Sequence, residues 1–320
     1  MSSEGGKRAI IAALLANVGI AITKFIAWAL SGSSAMLAEG VHSLADSGNQ
    51  LLLLLGGRKA KRAPDREHPF GYGRERYIYA FIVAIVLFSI GGLFSIWEGI
   101  SKIRDPHTLA MWWLPLVVLA IAIVLESFSL RTAIKESRPH KGAASWLTFI
   151  KRSKSPELPV ILLEDFAALV GLVFAFLGVG LTALTGNTVF DAAATILIGT
   201  LLIAVAVIIG IETKSLLVGE GATAEDVQKI QLALGDAKEI NRIIHMKTLY
   251  LGPDELMVGA KVSLPASTTM GEVSVIINMA ERRIRAAVPA ARVIYIEPDV
   301  WLDPDLPTPT TSSIVMLSSD

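Results

Sequence analysis

The sequence predicts an α-helical membrane protein, with six transmembrane helices followed by a small cytoplasmic α+β domain. Three observations lead there. Hydrophobic residues fill 52% of the 320 positions and charged residues only 18%, where a soluble domain carries about a quarter charged. Mean hydropathy is +0.56, and the apolar excess falls into blocks, each about the length that crosses a bilayer's hydrocarbon core. The charges lie between those blocks and after the last of them. Composition also excludes some chemistry. Cys is absent, which removes disulfides, thiolate metal sites, iron–sulfur clusters and Cys nucleophiles together. The 29 Lys and Arg residues balance 29 Asp and Glu residues, so nothing marks nucleic acid as a partner.

The six spans run near 9–30, 34–55, 78–101, 111–135, 158–184 and 189–213, within a transmembrane part covering 1–213. Met1 to Arg8 has no signal-peptide cleavage pattern, and the block after it is too long for an h-region, so it reads as a retained span. Spans one and two are joined by Ser31-Gly32-Ser33, and spans five and six by Thr185-Gly186-Asn187-Thr188, both uncharged. The second and fourth links are basic. Arg58, Lys59, Lys61, Arg62, Arg66, Arg74 and Arg76 lie between spans two and three. Lys135, Arg138, Lys141, Lys151, Arg152 and Lys154 lie between four and five. By the positive-inside rule these loops face the cytoplasm, with Lys7 and Arg8. An even span count then puts both termini inside, and the plasma (inner) membrane is the expected host. Trp146, Leu147, Phe149 and Ile150, interleaved with basic residues, suit either a short helix on the membrane surface or a solvated loop.

From 214 to 306 the composition becomes that of a small soluble domain. Thr223-Ala-Glu-Asp opens a helix with Val227, Ile230 and Leu234 on one face. Strand-like runs at 243–251 and 255–264 flank Gly252-Pro253-Asp254. Thr269-Met-Gly-Glu272 is a capping box before a helix striped by Val273, Ile276, Ala280, Ile284 and Ala287. Val293 to Glu297 reads as a third strand. The order αββαβ predicts a ferredoxin-like sandwich, one sheet covered on one side by helices. The Pro-, Thr- and Ser-rich tail from Pro307 reads as disordered.

Candidate functional residues lie inside the spans. An ionisable group deep in a span costs roughly 2.5–3.5 kcal/mol on insertion scales, so each demands a reason. Span two holds His42 and Asp46, four apart and therefore on one helix face. Imidazole nitrogen with carboxylate oxygen suits Zn²⁺ and its neighbours, and two ligands need partners from another helix. Span five offers Glu164 and Asp165. Asp46 lies about 14 Å and Asp165 about 10 Å from the inner ends of their spans, at about 1.5 Å per residue, so the carboxylates can meet. The competing reading is a set of mutually satisfied polar groups that lock helices together. With no Lys or Arg expected close by, the acidic cluster favours a cation. Asn17 and Asn49 are candidates for orienting hydrogen bonds or for interhelical glue. Lys24 is expected to snorkel outward, Glu39 to line an exit path, and Glu126 to stand alone. Gly48, Gly91 and Gly92 read as close helix contacts.

At these residues the chain resembles the cation diffusion facilitator family of proton-coupled divalent metal exporters. The matching stretches are Asn17 and Lys24 in span one, Gly32-Ser33 through Gly40-Val-His42-Ser-Leu-Ala-Asp46-Ser-Gly-Asn49-Gln50 in span two, and His68-Pro-Phe-Gly71-Tyr-Gly73-Arg-Glu75 in the following loop. The resemblance implies that His42, Asp46 and Asp165 are transport-site ligands. Ile161 stands where the family's usual first span-five ligand would be, and the Leu-Glu-Asp form of span five resembles the subgroup containing the mitochondrial zinc exporters. Glu164 or water is then the fourth ligand. The resemblance also points to Asp65 and His68 as an accessory metal site, with Tyr72 replacing a family ligand. His245 and Glu297 fall on ligand positions of the cytoplasmic domain, where Lys261 argues against a filled site.

The expected function is export of Zn²⁺, or a similar divalent cation, in exchange for protons, with no organic cofactor. Ligands must be deprotonated to bind metal, and imidazole titrates near physiological pH. Alternating access would expose the cluster to each side in turn. The C-terminal domains are expected to pair two protomers into a homodimer. Two alternatives stay open at this point: a non-transporting metal sensor or scaffold of the same fold, which Ile161 favours, and a membrane-embedded metallohydrolase.

Overall fold

The computed structural model describes residues 3–106, 111–235 and 239–300, with the side chains of 3–16 left aside. His107, the side chains of Lys7 and Arg8, and the tail from Pro307 therefore lie outside the described residues. Long helices come first: α1 Ser3–Ser31, α2 Ser34–Lys59, α3 Glu75–Val86, α4 Phe94–Arg104, α5 Trp113–Lys141, the short α6 Trp146–Arg152, α7 Glu157–Thr185 and α8 Val189–Val218. A π-helical stretch, Leu87–Leu93, joins α3 to α4 without a break. Then follow α9 Ala224–Gly235, β1 Arg242–Gly252, β2 Glu255–Ser263, α10 Met270–Ala287 and β3 Ala291–Asp299. The chain forms two compact units, one reaching Gly219 and including Leu251–Asp254, the other holding the remainder.

Among the described residues, four helices are long and apolar enough to cross a membrane: Glu75–Arg104, Trp113–Lys141, Glu157–Thr185 and Val189–Val218. Within α1, the described stretch Asn17–Ser31 is apolar but shorter. The helix α2 is long enough, but Glu39, His42, Asp46, Asn49 and several Ser and Gly residues dilute its apolar character. Burial compensates. It packs against α1, α3, α7 and α8, so those polar groups face protein. By contrast, α5 leaves Val117, Ile121, Val124, Leu125 and Phe128 exposed, as a lipid-facing helix does.

Local chemistry sets the start of α2. Gly32 adopts φ +70°, a left-handed conformation that favours glycine, and reverses the chain after α1. Ser33 then caps α2, its hydroxyl accepting from the Met36 N–H. Elsewhere helices touch backbone to backbone. A Cβ on Gly199 of α8 would lie 2.7 Å from the carbonyl oxygen of Gly92, in the π-helical stretch, so the expected close contact at Gly92 is real.

In the C-terminal unit the sheet order is β1-β2-β3, with β3 parallel to β2 and Lys261 opposite Glu297. Ile230 and Leu234 of α9, with Ala280 and Ile284 of α10, close over Leu256, Val258, Val262 and Ile294. The Thr269–Glu272 capping box is formed in both directions.

Candidate metal site in the membrane helices

The helix α2 carries the site. His42 is 1% exposed, and neither ring nitrogen has a hydrogen-bond partner. Its Nδ1 lies 3.5 Å from Asp46 Oδ1, beyond hydrogen-bond reach, and that oxygen is also unpartnered. Both residues face inward one turn apart. Three buried ligand-type atoms thus converge with no protein donor or acceptor assigned to them, where most buried polar atoms find a partner.

The carboxylates of α7 sit close by but are held by neutral donors. Glu164 is buried, and its Oε1 accepts from the Asn49 amide of α2 at 2.8 Å. Asp165, about 100° further around the helix, accepts from the Ser129 hydroxyl of α5 at 2.8 Å. Asp46, Glu164 and Asp165 nevertheless lie within one another's electrostatic reach. Glu126 of α5 joins the same field, beside Asp46, Asp165 and His42. Sequence reasoning left Glu126 isolated, because span four could not be rotated without knowing its neighbours. Ile161 is 36% exposed, so the position that breaks the family pattern faces outward here. In this conformation no three His, Asp or Glu side chains among the described residues are grouped closely enough to hold an ion. The expected set of His42, Asp46, Asp165 and Glu164 is gathered into one region, with its α7 members turned to Asn49 and Ser129.

The expectation about Lys24 is overturned. Lys24 does not snorkel; it is 1% exposed, and its Nζ donates to Glu39 Oε2 at 2.9 Å and to the Ser43 hydroxyl at 2.7 Å. The cluster therefore has an internal cation. Two signals in the sequence point to this pair. Ala21, Lys24, Ala27 and Ser31 form one buried stripe of α1, while Ile22, Ile26, Trp28 and Leu30 face outward. Lys24 lies seven residues before Ser31 and Glu39 five after Ser34, so a tight reversal brings them to similar depth. Glu39 is consequently engaged by Lys24 through one oxygen, while its Oε1 has no partner. Asn17 is half-buried on α1.

Residues 10–218 match the family model of the cation efflux transmembrane domain. This chain belongs to the cation diffusion facilitator family. It is 33% identical over 264 residues to the mitochondrial proton-coupled zinc antiporter SLC30A9 of Xenopus laevis, covering 82% of this chain and 47% of that protein. It is 30% identical over 266 residues to metal tolerance protein C4 of Arabidopsis thaliana, covering 82% and 58%. With the zinc transporter ZitB of Yersinia pestis it shares 27% over 258 residues, covering 80% and 77%. The chain spans about half the length of the antiporters it matches. Cation diffusion facilitators are transport proteins, not enzymes, and the metallohydrolase alternative falls with that membership.

The accessory positions of this facilitator are engaged by its own side chains. In the loop after α2, Asp65 Oδ1 accepts the backbone N–H groups of Glu67 and His68 at 3.1 and 2.8 Å. Its Oδ2 accepts the Tyr72 hydroxyl at 2.6 Å and Arg62 at 2.9 Å. His68 packs its ring on Tyr72 and holds Nδ1 3.6 Å from Asp65. Tyr72 therefore supplies a donor to the carboxylate that the resemblance offered as an accessory ligand. The Tyr72 hydroxyl first, then the His68 N–H, hold the Asp65 carboxyl below its ordinary range. In the C-terminal unit His245 is exposed on β1, while Lys261 bridges Glu297 at 3.0 Å and Asp299 at 2.9 Å. That ammonium holds the Asp299 carboxyl below its usual range, and it is the cation Glu297 meets.

Two outcomes are expected. Lys24→Met leaves Glu39 buried without its counterion, which should destabilise the protein by about 3–5 kcal/mol; Lys24→Met/Glu39→Gln should recover most of that. Thermal unfolding in detergent measures both, and a wild-type melting temperature for Lys24→Met would contradict the pairing. The Asp65 contribution to loop stability is present above its unfolded value near 3.9 and is lost as pH falls through its lower folded value. Carbon-13 carboxyl NMR should find that Tyr72→Phe moves the Asp65 titration upward; an unmoved titration would remove Tyr72 as the cause.

Proposed function

We propose that this facilitator is a secondary active transporter that exports Zn²⁺, or a similar divalent cation, from the cytoplasm in exchange for protons. The supporting observation is the buried His42–Asp46 pair, with three unpartnered ligand-type atoms. An imidazole and a carboxylate are the donor set a zinc-like ion accepts. Glu164 and Asp165 complete the site by leaving Asn49 and Ser129. Each neutral donor holds its carboxylate by only about 1.5–3 kcal/mol, a hold that an arriving dication can exceed. Asn49 then acts as the group that parks and orients Glu164, and Glu39 lies on the path beside the site.

Coupling follows from the same atoms. Metal binds the deprotonated ligands, and protons on them favour release. A dication that leaves without replacement strands buried negative charge, so protons return in exchange. Lys24 is ion-paired to Glu39 and its charge also reaches Asp46, so one ammonium faces several carboxylates and the remaining negative charge is left for the cargo. The relatives named as zinc antiporters and zinc transporters support this cargo and this exchange. Basic loops flanking the helices support an inward-facing C-terminal unit, with six spans, the first two being α1 and α2; the host we propose is the plasma (inner) membrane. The C-terminal domain, expected over 214–306, pairs two protomers into a homodimer and needs no bound metal where Lys261 already meets Glu297.

Reconstituted into liposomes with an imposed pH gradient, the wild type should take up Zn²⁺ with counterflow of protons. His42→Ala, Asp46→Ala and Asp165→Asn should reduce flux to background. Asn49→Ala, which removes the hydrogen bond Glu164 must leave, should tighten apparent zinc affinity by roughly 10–100-fold. Zinc bound without flux by the wild type would instead favour a sensor, and flux surviving loss of His42, Asp46 and Asp165 would end the proposal.

A further inference from the structure

The most connected polar node outside the metal site lies at the N-terminal end of α2. Asp191, in the first turn of α8, is 0% exposed. Its Oδ1 accepts the Ser33 hydroxyl at 2.7 Å and the Ala35 N–H at 3.4 Å, and its Oδ2 accepts the Ser34 N–H at 2.8 Å. The Asp191 N–H in turn donates to the Thr182 hydroxyl oxygen of α7 at 3.0 Å. From α4, Lys102 donates to the Gly32 carbonyl at 2.8 Å. One carboxylate thus collects the donors that a helix start leaves unpaired, at the end where the helix dipole favours negative charge. Local capping alone does not call for it, because Ser33 already accepts the Met36 N–H. What Asp191 adds is a link from α2 to α8, and through Thr182 to α7.

We infer that Asp191 is a positioning residue for the metal site, pinning the axial level and rotation of α2 so that His42 and Asp46 stay level with Glu164 and Asp165. His42 lies eight residues and Asp46 twelve beyond Ser34, about 12 and 18 Å along one continuous helix. A displacement at Ser34 is therefore transmitted along it. A slip of one residue moves His42 by about 1.5 Å and turns it by about 100°, enough to take both ring nitrogens off the site. The two helices that carry the proposed ligands are thereby tied at one end, through α8, while the Asn49–Glu164 bond ties them near the other. The functional meaning of this tether rests on the transport reading; its geometry does not.

The experiment uses nitroxide labels, which the Cys-free sequence accepts cleanly. Labels at Leu51→Cys on α2 and Phe166→Cys on α7, both on exposed positions, report the α2–α7 distance. Leu177→Cys on α7 and Val207→Cys on α8 serve as the control pair. Two backgrounds are compared with the wild type: Asp191→Ala, and Ser33→Asp/Asp191→Ala, which returns a carboxylate cap to α2 without the tether. Pulsed dipolar spectroscopy should find the α2–α7 distance shifted or broadened by about 1.5 Å or more in both, with the control pair unchanged. In proteoliposomes the apparent KM for Zn²⁺ should rise roughly 10-fold or more, with a smaller change in kcat. If Ser33→Asp restores the α2–α7 distance and KM, Asp191 is only a cap and the inference is overturned. An unchanged distance in Asp191→Ala overturns it as well. Should Asp191→Ala fail to fold, Asp191→Asn, which turns the Ser34 contact from acceptor to donor, is read by the same distances. A wild type that moves no zinc removes the transport reading, while the label distances still decide the tether.

Discussion

An imidazole and one carboxylate oxygen, a helical turn apart and withdrawn from water without hydrogen-bond partners, are the constraint on which this membrane unit depends. His42 and Asp46 are too polar for lipid and unsatisfied by protein, so α2 must be enclosed. It is, by α1, α3, α7 and α8. Enclosure in turn explains the small residues of α2: a Cβ on Gly40 would lie 3.2 Å from the Phe25 ring and one on Gly56 2.7 Å from Tyr79, so a central helix rich in Ser, Ala and Gly lets its neighbours come near. The exposed apolar face then falls to outer helices such as α5.

Charge is distributed unevenly around that pair, and the distribution has chemical sense. Lys24 settles Glu39; Asn49 and Ser129 hold Glu164 and Asp165 by neutral hydrogen bonds. A permanent counterion bonded to Glu164 or Asp165 would compete with any cargo, whereas amide and hydroxyl donors are displaced more readily. The loop and C-terminal positions show the opposite solution. Asp65 is closed by Tyr72, Arg62 and two backbone N–H groups, and Glu297 by Lys261. Those groups are already neutralised, whereas His42 and Asp46 keep ligand-type atoms without partners.

Much of this was legible in the sequence, and what was missed has a common cause. Hydropathy blocks and Gly or Ser punctuation locate the helices because burial in lipid demands length and composition. The His42–Asp46 spacing states its own geometry, since residues four apart share a helix face. Rotation about a helix axis is different. It depends on neighbours the sequence does not name, which is why Lys24 read as snorkelling, Glu126 as isolated and Asp191 as an unremarked residue after a short uncharged link. The choice between Glu164 and water as the fourth ligand turned on the same missing angle, with Ile161 facing outward. The π-helical stretch at Leu87–Leu93 had no sequence reading beyond its two glycines.

Zinc K-edge X-ray absorption of the purified, zinc-loaded protein addresses the buried pair most directly. The account requires a shell of nitrogen and oxygen neighbours near 2.0–2.2 Å, with an imidazole scattering signature that disappears in His42→Ala and persists in His245→Ala and His68→Ala. A spectrum unaltered by His42→Ala would mean that the ion is held elsewhere, and that the unsatisfied atoms of α2 are not its ligands.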